Sequence, residues 1–393
     1  CALPICRLGS HMSLFFTFCI FLFSPIIVNA AVPQELLIFY GYPSLINAAL
    51  GDTEKAEEAM KDYQYIVLGA DLENSGHADH DATKTIIKNN VFSYSTNFFG
   101  YIAMGTTTDY SLSDVQTKVD DWLDTMGVQG IFLDEFGYDY GRDREWQCEV
   151  LNYIHNTKGS IAFINAWDPA DVYADKDGNA TCATVNDIYL AESFAVSNGL
   201  FQPTDQLISK ANSIVDYQNS MKDAYDTANN VTDGRMFRVA TVTTTYFPYN
   251  PHMFYFSWFT AFLYDFHMSG WGQPLFSSLD NAAPYHQRPV FAGYDYGNIE
   301  GSIQSFLYYG SEGIYYRSTS SGYVFIETVS HIGGFIPTNL VGVLQFSAVA
   351  FVLVVILLVI VVTSCTAITG IFAAVWQFFK VVRPKSKIEA ATQ

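Results

Sequence analysis

Short apolar runs that alternate with helical patterns are the feature that most limits how this chain folds. Seven runs rich in β-forming residues recur between residues 31 and 275, and an eighth is less distinct. Apolar runs without polar alternation predict strands buried on both faces, joined by helical crossovers of a parallel sheet. The runs are LLIFYGY (36–42), YIVLGADLE (65–73), FFGYIAMG (98–105), GIFLDE (130–135), SIAFINAW (160–167), DIYLAES (187–193), MFRVATVTT (236–244) and MFYFSWFTAF (253–262).

The segments between these runs carry helical patterns. The clearest are DTEKAEEAMKDY (52–63) and SDVQTKVDDWLDTMG (113–127), where apolar residues recur at helical spacing. Ser113 is suited to begin the second of these helices, and Gly127 is suited to end it. The run 253–262 stays ambiguous, because it fits an eighth helix, with its strand short or displaced, as well as an eighth strand.

Seven or eight strand–helix units between residues 31 and 275 match the size of a (β/α)8 TIM barrel, about 250 residues. A doubly wound open sheet is the rival architecture. That sheet often carries a glycine-rich phosphate turn after its first strand, whereas here the chain continues as GYPSLIN. We therefore predict an α/β fold with a TIM barrel over residues 31–275.

The chain after the barrel changes character twice. Residues 276–335 contain tyrosine-rich runs with tight Gly and Ser turns, which predict a small β-rich appendage. Residues 340–362 form a run of 23 residues without a charge, long enough to cross a hydrocarbon core of roughly 30 Å as a helix. We predict a transmembrane helix region over 336–380 and a basic cytoplasmic tail over 381–393.

The N-terminal segment predicts export. Residues 1–11 resemble a cloning leader, and the apolar stretch after Met12 ends in Val28-Asn29-Ala30, a small-residue cleavage pattern. Residues 1–30 are therefore expected to be leader and signal peptide, and a retained N-terminal anchor is the alternative. With the C-terminal span, this predicts a single-pass cell-surface protein with an extracellular body.

Charge and cysteine content limit the partners and the covalent links that this chain can have. The chain has 39 acidic and 20 basic residues, a balance that argues against nucleic acid, whose phosphates require Lys and Arg. Cys148 and Cys182 are the two cysteines of the predicted body, and the sequence leaves their pairing open. No cofactor is predicted, because the stretch SGHADHD (75–81) matches no closed zinc pattern.

Polar side chains end several of the predicted strands. The active sites of TIM barrels lie at this carboxyl face, built from the strand ends and the loops that follow them. The sequence therefore predicts that these side chains gather at one rim. They are Asp71 in the second strand, Asp134 and Glu135 in the fourth, Asn165 and Trp167 in the fifth, and Glu192 in the sixth.

Carboxyl groups at such a rim favour glycoside hydrolysis. That reaction requires one protonated carboxyl and one ionised carboxylate. Repulsion between the adjacent Asp134 and Glu135 is expected to raise the pKa of one of them. Nearby aromatic side chains offer flat apolar faces to sugar rings, and the candidates are Tyr40, Tyr42, Tyr138 and Trp167.

The ordered set GYIAMGTT, SDVQTKVDDWL, GIFLDE, AFINAW and DIYLAESFA resembles the spherulin-4-like glycoside hydrolases and the related endo-α-1,4-polygalactosaminidases. The resemblance covers roughly residues 35–275, and it implies a TIM barrel that cleaves galactosamine-containing polysaccharides. By motif it implies that Asp134, Glu135 and Glu192 are the functional carboxylates and that Tyr101 and Asn165 contact the ligand. The loops GADLENSGHADHD and INAWDPADVY depart from the family pattern.

These observations predict a membrane-anchored extracellular glycoside hydrolase that acts on a galactosamine-type or related polysaccharide. Glu135 and Glu192 are expected to be the acid and nucleophile pair, with Asp134 tuning them or orienting a substituent of the sugar. A homo-oligomer is compatible with the long apolar C-terminal segment. The alternative is a non-catalytic surface protein, structural, filament-forming or carbohydrate-binding, that uses the same barrel as a scaffold.

Overall fold

The computed structural model of the chain describes residues 32–106, 110–176, 178–232, 236–245, 249–272, 274–279, 281–283, 289 and 295–338. The predicted signal peptide, the uncharged run 340–362 and the basic tail 381–393 lie outside these residues. Within these ranges, no helix combines the length and the apolar character that crossing a membrane requires.

Eight parallel strands close into a barrel, as predicted. The first barrel strand pairs with the second on one side and with the last on the other, which completes the ring. A two-stranded hairpin, formed by Val196–Ser197 and Leu200–Phe201, follows the sixth strand and stands outside the ring. The strands are β1 Gln34–Phe39, β2 Tyr65–Leu68, β3 Asn97–Ala103, β4 Gly130–Asp134, β5 Ile161–Asn165, β6 Ile188–Glu192, β7 Val196–Ser197, β8 Leu200–Phe201, β9 Arg238–Thr244 and β10 Met268–Gly272.

Helices connect the barrel strands. Two π-helical turns, Asp121–Met126 and Tyr153–Thr157, extend the third and fourth helices. Short 3-10 turns occupy Pro43–Ala48, Tyr138–Tyr140 and Pro274–Ser277. The helices are α1 Thr53–Met60, α2 His80–Tyr94, α3 Leu112–Asp120, α4 Arg144–Asn152, α5 Ala170–Tyr173, α6 Thr204–Asn229 and α7 Pro251–Leu263.

The start of α3 differs from the prediction by two residues. Ser111, not Ser113, is its N-cap: the Ser111 hydroxyl accepts from the Asp114 amide at 3.2 Å, and the Asp114 carboxylate accepts from the Ser111 amide at 2.9 Å. This reciprocal pair satisfies two of the amides that a helix start leaves without an intrahelical partner. The predicted stop is confirmed, because Gly127 ends the π-helical turn in the left-handed conformation.

The run 253–262 is a helix, and the interpretation as a strand is wrong. It belongs to α7, which lies between β9 and β10 and is therefore the seventh crossover rather than an eighth helix. Almost every residue of α7 from Phe254 to Leu263 is buried. A helix that is apolar all round is covered on more than one side. The eighth strand is Met268–Gly272, MSGWG, whose two glycines weaken the sequence signal of a strand.

Successive residues of the barrel strands pack into two separate apolar layers. Side chains on one face of the sheet pack against the helices, in a cluster that includes Ile131 and Leu133. Side chains on the other face fill the barrel interior. That interior layer consists of Leu36, Ile38, Val67, Phe99, Phe132, Phe163, Ile188, Leu190, Ala240, Val242 and Met268.

An antiparallel four-stranded sheet follows the barrel, in agreement with the predicted β-rich appendage. Its strands are β11 Ile299–Tyr309, β12 Glu312–Thr319, β13 Gly322–Glu327 and β14 Ile332–Pro337. The sheet covers the outer side of α7. Phe335 of β14 packs edge-on against Tyr296, which in turn contacts the rings of Trp258 and Phe262. This second cover accounts for the burial of α7 from Phe256 to Leu263.

Cys148 of α4 and Cys182 form a disulfide, with Cα atoms 5.2 Å apart. The sequence left this pairing open because the two cysteines are 34 residues apart. The bond ties α4 to the long loop that precedes β6, and stable disulfides are typical of oxidising compartments.

Gly100→Ala should destabilise the barrel. A Cβ atom at Gly100 would lie 2.1 Å from Cδ2 of Trp122, a fully buried side chain that packs over β3. Overpacking of this kind costs about 1–3 kcal/mol, and each kcal/mol lowers the melting temperature of a domain this size by about 2–4 °C. The measurement is thermal unfolding followed by circular dichroism.

Gly76→Ala is the matched control. Gly76 is exposed, and a Cβ atom added there would lie 3.2 Å from its nearest neighbour, Oδ1 of Asn74. Equal melting temperatures for the two variants would contradict the described packing of Trp122 on β3.

Candidate functional site

The period of two along a strand brings polar side chains into the mouth of the barrel. Phe132 of β4 fills the interior, so Asp134, two residues later, points inward at the carboxyl end of that strand. The same alternation places Asn165 inward on β5 and Glu192 inward on β6. Tyr101 belongs to the partly buried side chains that pack against the interior layer from β3. Four adjacent strands therefore deliver inward side chains near their carboxyl ends to one place.

Asn165 joins the two inward carboxyl groups. Its Nδ2 donates to Asp134 Oδ1 at 2.8 Å and to Glu192 Oε2 at 2.9 Å. The two N–H bonds of a planar amide diverge by roughly 120°, so two linear hydrogen bonds from Nδ2 correspond to oxygen atoms about 5 Å apart. The site is thus a pair of carboxyl groups held at a fixed separation by one amide.

Asp134 accepts two further hydrogen bonds. The Tyr101 hydroxyl donates to Oδ2 at 2.9 Å, and the backbone amide of Glu135 donates to Oδ1 at 3.0 Å. The ring of Tyr40 packs edge-on against that of Tyr101, with centroids 4.9 Å apart. Tyr40, Tyr101, Asp134, Asn165 and Glu192, all predicted from the sequence, lie together in the structure.

Burial raises the pKa of both carboxyl groups. For Asp134 the hydrogen bonds from Asn165 and Tyr101 oppose this rise in pKa. For Glu192 the pKa is raised first by burial and also by the negative charge of Asp134, while Asn165 and the ammonium of Lys210 oppose the rise. Burial and the charge of Asp134 together raise the pKa of Tyr101, so its hydroxyl stays a hydrogen-bond donor.

Glu135 does not continue the inward direction of β4. Its backbone is left-handed, with φ at 54°, and its carboxylate lies so close to Gly105 that a side chain at residue 105 would collide with it. Ser193, which follows Glu192, is also left-handed, with φ at 51°. Such conformations cost non-glycine residues of order 1–3 kcal/mol each and cluster at functional sites. The expected pairing of Glu135 with Glu192 stays a prediction, whereas the structure pairs Asp134 with Glu192.

The remaining predicted contacts lie further out. Trp167 follows β5, and 62% of its surface is exposed. Tyr42 follows β1, and 38% of its surface is exposed. Asp71 forms an ion pair with Lys118 of α3 at 3.0 Å. Tyr138 lies under the ammonium of Lys176, 3.8 Å from its ring centroid. Their roles as substrate contacts stay predictions.

Lys210 of α6 is a member of the site that sequence reasoning missed. Its Nζ donates to the backbone carbonyl of Glu192 at 3.0 Å and lies 4.7 Å from the ring centroid of Trp167. No sequence pattern marked Lys210 as a site residue, because it lies within the long helix α6. It is eighteen residues from Glu192 along the chain.

Comparisons with known proteins add little to this geometry. No protein-family model matches the chain, and no curated protein matches it. Similar solved structures include an Anoxybacillus α-amylase, with 10% identity over 75% of this chain and 86% of that one and a TM-score of 0.39. A type I 3-dehydroquinate dehydratase from Clostridium difficile has 11% identity, coverages of 62% and 85%, and a TM-score of 0.36. Aspergillus clavatus Sph3 in complex with GalNAc has 14% identity, coverages of 61% and 88%, and a TM-score of 0.31. Likeness at this level carries no argument about chemistry.

Glu192→Gln should raise the melting temperature near neutral pH. The folded state raises the pKa of Glu192, so the stability linked to this group is complete below its unfolded pKa of about 4.3 and is lost as the pH rises through its folded pKa. Gln keeps an oxygen acceptor for Asn165 without the buried charge. Thermal unfolding should therefore show a gain at pH 7 that shrinks as the pH approaches 4.

Glu149→Gln, at an exposed position of α4, is the control for the same chemical change and should alter little. A lower melting temperature for Glu192→Gln at pH 7, or a gain that does not depend on pH, would contradict the assigned burial of the charge.

Proposed function

We propose that this protein is a glycoside hydrolase whose reacting groups are Asp134 and Glu192. The observation that carries the proposal is the pair of half-buried carboxyl groups bridged by Asn165 at the carboxyl face of the barrel. Retaining glycosidases place their two carboxyl groups about 5–5.5 Å apart, and inverting enzymes place them about 6.5–9.5 Å apart. The separation here, set by one amide nitrogen, favours the retaining mechanism.

The surroundings of the two carboxyl groups differ, and we assign their roles from that difference. Asp134 accepts hydrogen bonds from Asn165, Tyr101 and the Glu135 amide, which together favour its ionised form. Among the described residues, the Glu192 side chain accepts one hydrogen bond, from Asn165, and it faces the charge of Asp134. Asp134 is therefore the nucleophile and Glu192 the general acid.

The reaction then proceeds in two steps. Glu192 transfers its proton to the glycosidic oxygen while Asp134 attacks the anomeric carbon, which breaks the bond to the leaving sugar and forms a glycosyl ester. Glu192, now ionised, takes a proton from water. That water attacks the same carbon and releases Asp134. Two displacements at one carbon return the original anomeric configuration.

The substrate is proposed to be a polysaccharide of the galactosamine type. The exposed ring of Trp167 and the tyrosines around the acids offer stacking surfaces for sugars. Burial and the charge of Asp139 raise the pKa of Tyr140, and the charges of Glu135, Asp134 and Glu192 add to that rise. The choice of amino sugar rests on the motif resemblance, and Glu135, at the rim, is assigned to orient a substituent of the sugar.

We also propose that the enzyme works at the cell surface. The Cys148–Cys182 disulfide fits an oxidising compartment. The uncharged run 340–362 and the basic residues after it support a single membrane span with the barrel outside.

Glu192→Gln and Asp134→Asn should each lower kcat by about 10²–10⁴-fold or more, because each removes an acid or a nucleophile without removing much volume. The measurement is the release of reducing ends from α-1,4-linked galactosamine polymers by the full-length chain. Glu149→Gln should retain wild-type activity. Binding of the polymer without cleavage by the wild-type chain would contradict the proposal and favour the non-catalytic alternative.

Time-resolved proton NMR of the freshly released reducing ends should show the anomer of the original linkage before mutarotation. Retention is expected from the separation that Asn165 imposes. Initial release of the opposite anomer would show that water attacks directly and would remove Asp134 as nucleophile.

A further inference from the structure

The ammonium group of Lys210 lies between the end of β6 and the ring of Trp167. One of its three N–H groups donates to the backbone carbonyl of Glu192, and the ammonium also stands 4.7 Å from the Trp167 centroid. Glu192 belongs to a barrel strand, Trp167 to the loop after β5, and Lys210 to α6. The lysine thus connects three separate elements at the site.

The surroundings of Lys210 differ from those of other lysines with limited exposure. Lys118, Lys158, Lys176 and Lys222 each lie within 4 Å of a carboxylate. Within the described ranges, no such ion pair is formed by Lys210, whose contacts are a carbonyl and an aromatic face. Burial lowers its pKa to about 8, and the charge of Glu192 opposes that change. A half-buried ammonium with no close carboxylate is costly, and such groups concentrate at functional sites.

We propose that Lys210 is a positioning residue of the glycosidase site, which holds the end of β6 against Trp167 and sets the charge that Glu192 meets. This inference rests on the proposed function. The ammonium lies over one face of the Trp167 ring, which is 62% exposed, and we assign the other face to a sugar. The lysine therefore fixes the distance between the stacked sugar and the acid that acts on it.

A small set of groups determines the electrostatic environment of Glu192. The charged groups that act on Glu192 are Asp134 from β4, which raises its pKa, and Lys210 from α6, which lowers it. Burial raises the pKa of three nearby tyrosines, and the charge of Glu192 adds to the rise. They are Tyr40, Tyr140 and Tyr189. Removing the ammonium should therefore raise the pKa of Glu192 further.

Lys210→Met tests this inference, because Met keeps the apolar stem and removes the ammonium. We expect kcat/KM on the galactosamine polymer to fall by about 10–100-fold, the scale of a small misplacement of a reacting group. The limb of the pH–rate profile that reports Glu192 should move to higher pH. Lys210→Arg should keep the position of that limb and recover part of the rate. Lys84→Met, at an exposed lysine of α2, should match the wild type.

A double-mutant cycle separates positioning from a general loss of stability. If Lys210 acts through Trp167, the effects of Lys210→Met and Trp167→Ala on kcat/KM should be less than additive. Wild-type kinetics in Lys210→Met would overturn the inference. So would equal losses in the Met and Arg variants without movement of the pH limb.

A readout that needs no turnover keeps this test separate from that of the proposed function. The stability linked to Glu192 is lost as the pH rises through its folded pKa, so in Lys210→Met that loss should extend to higher pH than in the wild type. At pH values below about 7, where Lys210 with its pKa of about 8 stays protonated, the difference should vanish when both chains also carry Glu192→Gln. An inactive wild-type chain would refute the hydrolase proposal, whereas unchanged pH-dependent unfolding in Lys210→Met would refute the role of Lys210.

Discussion

The hydrogen bonds from the amide of Asn165 to Asp134 and Glu192 are the interaction on which the site depends. Two half-buried carboxyl groups on β4 and β6, the strands on either side of β5, repel when both are ionised, and burial alone raises the pKa of each. Because the Asn165 amide donates to both groups, it stabilises one negative charge shared by the pair. The same two hydrogen bonds fix the separation of the two groups. The barrel supplies the positions, because inward side chains at the carboxyl ends of β4, β5 and β6 face the same space.

The rest of the molecule supports these positions at some cost in stability. Left-handed residues follow both acids, at Glu135 and Ser193. Lys210, which forms no ion pair with any carboxylate in the described part of the chain, borders Glu192. The appended sheet contributes from the other side. It covers α7, and its His331 stacks on Phe201 of the β7–β8 hairpin that follows Glu192, with centroids 4.0 Å apart. The appendage is therefore continuous in packing with the hairpin that follows Glu192.

Sequence patterns predicted the barrel and most of the inner site because both depend on short-range periodicity. Apolar runs marked seven of the eight strands, and the acids at their ends followed from the strand period. The eighth strand was missed because Gly270 and Gly272 obscure its pattern, and α7 was ambiguous because a helix covered on both sides loses its polar face. Lys210 and the choice of Asp134 over Glu135 as the partner of Glu192 depend on contacts between distant segments, which periodicity does not encode.

The most direct test of the central claim is to trap the covalent intermediate and locate it by peptide mass spectrometry. A 2-deoxy-2-fluoro galactosyl donor with a good leaving group slows the second displacement more than the first, so the glycosyl ester accumulates. We expect one sugar per chain, attached to Asp134, and no labelling in Asp134→Asn. A sugar attached to Glu135 or Glu192 would contradict the roles assigned here, and the absence of any adduct on an active enzyme would contradict the retaining mechanism.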